Sequence, residues 1–248
     1  MSVRAYLRSP VALAWTLIGS IAVGGVIAGG WRFARFVASR TMIADPAFLG
    51  GLGLILAFGL IAVAVIGVLW AVWLPCSAAI AYAVGRRLRG RPATGAETIG
   101  VVDSRIEPLY RWSKTRVAIG PIADGALTDK DVSPAEVAVG CDAFVIPALV
   151  LDTPTLPSAV ERANRVVPRP GRRRLQLAGL AGTALLAALG WGVDTLVYPT
   201  IPFSTAEPAV PPIVAAALVG GVVVTAAIDT AWRVGVYVAS DLDEGFSR

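Results

Sequence analysis

The sequence predicts an all-α, polytopic membrane protein with about four transmembrane helices, and three observations predict it. Hydrophobic residues make up 56% of the 248 positions and charged residues only 16%, against roughly 45–50% and 25% in an average soluble domain. Mean hydropathy is +0.69. The apolar residues are gathered into long unbroken runs, the pattern of segments solvated by lipid rather than of a soluble core. The formal charge is +5, but the arginines flank the apolar runs, so topology accounts for them and no nucleic-acid partner is implied. The whole chain, 1–248, reads as one membrane domain whose first partner is the bilayer.

The first run, 10–30, follows Arg4 and Arg8 and has the roughly 20 residues needed to cross a hydrocarbon core of about 30 Å. It is longer than a signal-peptide core of roughly 7–15 residues and reads as a retained anchor. The second run, 48–84, carries no charge between Pro46 and Gly85. At 1.5 Å per residue it would reach about 55–60 Å as one helix. One long helix, kinked at Pro75 and projecting beyond the bilayer, is expected; two minimal spans turning between Gly67 and Pro75 are the alternative. Runs 175–197 and 212–238 close the chain. The loop between them, PTIPFSTAEPAVPP, has five prolines, one Glu and no Lys or Arg, which places it outside by the positive-inside rule.

Fifteen of the 22 Lys and Arg residues fall in the segment 86–174, so this basic segment is expected on the cytoplasmic side, together with the N-terminus and the acidic C-terminal tail. The expected location is the cell (plasma) membrane, multi-pass, with a cytoplasmic C-terminus. Arg32, Arg35 and Arg40 run against the rule, because a single long second helix leaves them outside. Within the basic segment, Ile99, Val102, Ile106, Leu109 and Tyr110 recur at helical spacing, with Pro108 as an interruption. An interfacial amphipathic helix presenting Arg105, Arg111, Lys114 and Arg116 to anionic head groups and a solvated loop helix are both open. The apolar stretch 137–151 is too short to span and should be re-entrant, tilted or buried among other helices. LPSAVERANRVV reads as a short helix opened by Pro157, with Glu161, Arg162 and Arg165 outward.

Candidate functional residues are few. Asp229 and Arg233 are four apart in the last run, the spacing of a helical pair, and ionisable residues in a span default to a functional hypothesis. They form either a structural ion pair or part of an ion or proton pathway. Asp142 sits near Pro147 in the short segment, either as part of a broken transporter element or as an interfacial cap. Asp194 falls near the outer boundary. Arg86, Arg87, Arg89, Arg172, Arg173 and Arg174 are expected to face lipid head groups. Gly25 and Gly29 form a G-x-x-x-G that suits internal bundle packing. Cys76 and Cys141, in apolar surroundings, read as small buried hydrophobes rather than a disulfide. There is no histidine, which removes the commonest general base and metal ligand. No H-E-x-x-H, G-x-S-x-G or phosphate-cradling glycine loop is present. No catalytic residue, metal or cofactor is therefore expected, and a non-enzymatic scaffold or partner-binding protein, contacting anionic lipid or another protein, leads over a transporter or channel component.

Three stretches, GRRLRGRPATGAETIG, FVIPALVLDTPTLPSAVERA and DTAWRVGVYVASDLDEGFSR, together resemble an uncharacterised family of multi-pass prokaryotic membrane proteins. That family is similar to the membrane domain of some glycerophosphodiester phosphodiesterases. In it an "LRG" turn closes a long helix, an "F-V-V-P-x-L-V-L-E" segment leads into an "A-x-x-R-S" helix, and the last span ends in "ALYRYA" followed by "P-E-G-F". Here Asn164 and Arg165 follow Ala163 in place of "R-S". The stretch from Ser113 to Lys130 is polar and short where relatives are longer and apolar, which implies fewer membrane segments. The resemblance implies architecture and carries no activity.

Overall fold

The structure, a computed structural model, describes residues 2–44, 52–127, 144–166, 172–197 and 212–246. All regular structure among them is helical: α1 (Ser2–Leu7), α2 (Pro10–Ala44), α3 (Leu52–Leu88), α4 (Gly95–Leu127), α5 (Val145–Leu151), α6 (Leu156–Asn164), α7 (Arg172–Val197) and α8 (Pro212–Phe246). Asp142 and Cys141 lie outside the described residues.

Three helices are long and apolar enough to cross a bilayer, over Pro10–Arg40, Leu56–Leu88 and Val214–Ser240; the apolar part of α7, Leu177–Gly192, is shorter. The expected span 10–30 is thus part of a longer helix, and Arg32, Arg35 and Arg40 sit on it. The second run is one continuous helix over Leu52–Leu88, through Pro75. Local chemistry explains the start of α2: Ser9 accepts from the Ala12 N–H at 3.3 Å and Pro10 occupies the first helical position, where its missing N–H has no role.

Glycine contacts fix the packing directions. Gly19 faces Trp73 and Gly30 faces Val65, so α2 and α3 run antiparallel. Between α7 and α8 the fit is reciprocal: Thr225 fills the space over Gly179 and Thr183 that over Gly221. Each threonine hydroxyl donates to a carbonyl of its own helix, Gly179 at 2.9 Å and Gly221 at 2.7 Å. Small residues at these crossings let the backbones approach where lipid gives no hydrophobic drive. The G-x-x-x-G of α2 has another role: Gly25 and Gly29 meet no side chain, and internal packing uses Gly19 and Gly30 instead.

The start of α2, the end of α3, the start of α7 and the end of α8 all fall at one end, where the buried core lies. It includes Tyr6, Ala12, Leu74, residues 78–81, Val84, Val102, Leu109, residues 144–145 and 148–150, Ala159, Ala163 and Tyr237. Away from this end the bundle exposes Leu17, Ile21, Leu60, Val63, Ile66, Leu180 and Leu189, an apolar surface consistent with membrane-spanning helices. α5 is buried among α3, α4, α6 and α8.

α4 continues through Pro108 and packs on α3, burying Val102 and Leu109 while Ile99 and Ile106 stay exposed. A capping box starts it: the Thr94 N–H donates to Glu97 Oε2 at 3.0 Å and the Glu97 N–H to Thr94 Oγ1 at 3.3 Å, the reciprocal pairing of T-x-x-E. One side chain ties it to α3. Pro75 has no N–H to give the carbonyl four residues earlier, and the Tyr110 hydroxyl donates to that carbonyl, Ala71 O, at 2.6 Å.

Candidate functional site

The most connected polar group among the described residues is Asp152, and its placement begins at the end of α3. Gly90 there has φ +75°. The Arg91 N–H donates to Arg86 O at 2.9 Å and the Gly90 N–H to Arg87 O at 3.1 Å, a Schellman close that needs a left-handed residue. Arg89 is held at this turn. One turn earlier, Gly85 abuts Leu151 so closely that a Cβ would collide with it. That contact seats the end of α5 on α3 and brings Asp152 to Arg89.

The carboxylate is gripped from three segments. Arg89 donates through Nη1 to Oδ1 at 2.7 Å and through Nη2 to Oδ2 at 3.1 Å, the fork geometry that makes arginine–carboxylate pairs strong. The hydroxyl of Tyr237, fully buried in α8, donates to Oδ2 at 2.5 Å. Arg162 of α6 brings Nε to 3.8 Å from Oδ2. Burial raises the Asp152 carboxyl, but the hydrogen bonds from Arg89 and Tyr237 and the charges of Arg89 and Arg162 outweigh it and hold the group below its ordinary range. The result is an ionised acceptor that takes three hydrogen bonds and a flanking charge, suited to bracing helices rather than to moving protons.

Each of the three sequence stretches singled out above supplies a member: GRRLRG gives Arg89, FVIPALVLDTPTLPSAVERA gives Asp152 and Arg162, and DTAWRVGVYVASD gives Tyr237. Sequence reasoning passed over Asp152 because it sits just past an apolar run, where a helix-ending aspartate is unremarkable. The signal was the convergence of three polar-marked termini on one end of the bundle. Arg89, expected to face lipid, turns inward onto this carboxylate, and Arg162, expected outward, leans to it.

The expected pair is present: Arg233 donates to Asp229 on the same face of α8, both partly buried. Arg165 and Glu161 pair on the exposed face of α6. Arg86 lies over the Tyr82 ring at 5.9 Å, and Arg87 is half-buried in the same last turn of α3. Arg172, Arg173 and Arg174 open α7. No cluster of three or more acidic or cysteine side chains that could hold a metal occurs among the described residues.

No protein-family model, curated protein or solved structure matches this chain.

Proposed function

We propose that the chain is a non-enzymatic membrane scaffold, which presents a rigid basic helical core at the cytoplasmic face to anionic head groups or to a partner protein. α7 acts as the fourth span, because it packs antiparallel along α8. One observation carries the reading: Asp152 is bound at once by Arg89, Tyr237 and Arg162. Polar groups at the bundle end are thereby spent on fixing its shape. The likeness of those three stretches to one membrane-protein family supports the same architecture. Arg87 and Arg91 at the end of α3, with the arginines opening α7, provide the basic surface.

The full chain in nanodiscs of phosphatidylcholine, with and without phosphatidylglycerol, tests this. Phosphatidylglycerol should raise the melting temperature by a few degrees, and R87Q/R91Q should remove most of that gain. A second reading, a small-solute or ion transporter component using Asp142, Asp229 and Arg233, is favoured by the partly buried Asp229–Arg233 pair within a candidate span. Cation or proton flux in proteoliposomes that D229N abolishes would establish it and overturn the scaffold.

A further inference from the structure

Two arginines at the core end of the bundle are left without an acceptor. Arg86, in the last turn of α3, and Arg105, on α4, are both half-buried. The Nε of each is shut away from solvent and has no hydrogen-bond partner, and neither forms an ion pair among the described residues. An unmet buried donor costs about 1–3 kcal/mol, and more where the group is charged. The described carboxylates of this end are engaged elsewhere. Asp152 is held by Arg89 and Arg162, Glu161 by Arg165 and Asp229 by Arg233, while Glu97 caps α4. Asp103 and Glu107 are exposed and stand two positions from Arg105, a spacing that puts them on the far side of the helix.

Arg105 belongs to the inward side of α4. Thr98, Val102, Arg105 and Leu109 recur at spacings of four, three and four, and the other three are buried. The chain turns back between Leu88 and Gly95 and Tyr110 reaches Ala71 O, so α4 runs antiparallel to α3. Residues 99–101 of α4 therefore stand level with about 80–82 of α3. Arg86 carries its guanidinium back one turn, over the Tyr82 ring at 5.9 Å. Helical side chains lean toward their own N-terminus, which brings the head of Arg105 to the height of Val101. The two guanidiniums thus come to one height from facing helices.

We propose that Arg86 and Arg105 seat one phosphate group between α3 and α4. The number of donors selects the ligand. A carboxylate has two oxygens and is matched by one arginine fork, as Asp152 is by Arg89; a tetrahedral phosphate offers oxygens to two forks at once. Its negative charge also offsets both guanidiniums. A lipid head group and free phosphate share this chemistry. The proposal rests on the scaffold reading, to which it adds a discrete ligand at the basic end, apart from the surface made by Arg87 and Arg91.

The delipidated full chain in maltoside micelles, which carry no phosphate, tests it. Inorganic phosphate is titrated in one arm and phosphatidylglycerol in the other, with acetate as the carboxylate control. Thermal melting gives the apparent affinity, and native mass spectrometry the number bound. One of the two sources should bind saturably, one per chain, and about tenfold more tightly than acetate. R86Q and R105Q should each weaken that binding about tenfold, whereas R87Q/R91Q should leave it within about twofold. R86K/R105K keeps the charge and loses the fork, so it should bind several-fold more weakly than wild type yet still saturably. The tighter arm identifies the source. No saturable binding in either arm, acetate equal to both, or dependence on only one of the two arginines overturns the proposal. If the site fails in this way while phosphatidylglycerol still stabilises the chain through Arg87 and Arg91, the scaffold reading stands without it. If that stabilisation is missing while saturable binding depends on Arg86 and Arg105, the site stands without the scaffold reading.

Discussion

The two halves of α3 share one backbone and have different surroundings. Over its outer part Leu56, Leu60, Val63 and Ile66 are well exposed, whereas Ala78, Ala79, Ile80, Ala81 and Val84 are fully buried. The side chains differ accordingly. The outer half mixes Leu, Ile, Val and Phe with Gly and Ala; the inner half has four alanines in 78–83 and reaches Gly85, so that α4, α5 and α8 can come close. Hydropathy sees one apolar run, because lipid and a packed protein interior are equally apolar. Tertiary packing tells them apart: residues 78–81 and 83–84 are buried against other helices, whereas Gly59, Ala62, Ala64 and Gly67 are exposed along with their larger neighbours.

Four outcomes would break or sharpen this contrast. Asp152→Ala should have the largest effect, about 3–5 kcal/mol, because Arg89 and Tyr237 lose the buried partner that joins three segments. Reversible unfolding in mixed micelles of rising SDS content measures it; a loss below about 1 kcal/mol would mean the inner half holds without its brace. Next, Ile80→Ala should cost roughly 2–4 kcal/mol by cavity formation, against about 0.5 kcal/mol or less for Leu60→Ala on the lipid side. Equal losses in the same assay would erase the distinction between the halves.

Tyr110→Phe should cost about 1–3 kcal/mol, the penalty for stranding Ala71 O without a donor. In a Pro75→Ala background the restored N–H can serve that carbonyl, so most of the loss should disappear, and a double-mutant cycle reads the coupling directly. The smallest effect concerns pH. The Asp152 carboxyl lies below its unfolded value, near 3.9 for a free aspartate. Its stabilisation is therefore complete above that value and is lost as pH falls through the lower folded one. Melting temperature followed from pH 6 downward should drop more steeply in wild type than in Asp152→Asn; parallel curves would remove Asp152 from the account.

Much of the architecture was legible in the residues. Apolar runs located the long helices, and Asp229 with Arg233 followed from their spacing. The capping box T-x-x-E before α4 was also there to be read. The length of α2 was not: the apolar run was bounded at 30, before Arg32, Arg35 and Arg40, although arginine is a good helix former and the helix continues to Ala44. The inward turn of Arg89 was equally hidden, since a basic residue after a span has the same pattern whether it meets head groups or a carboxylate 63 positions on.

Composition and periodicity alone located helices long and apolar enough to cross a membrane, because transfer of a segment to lipid depends on its own side chains and on closing its own backbone hydrogen bonds. Tertiary structure alone decided which apolar residues meet protein, which arginine is buried against Asp152 and which glycines lie against a neighbour. Those outcomes depend on groups far apart in the chain arriving at the same height, and no local window of sequence contains that distance.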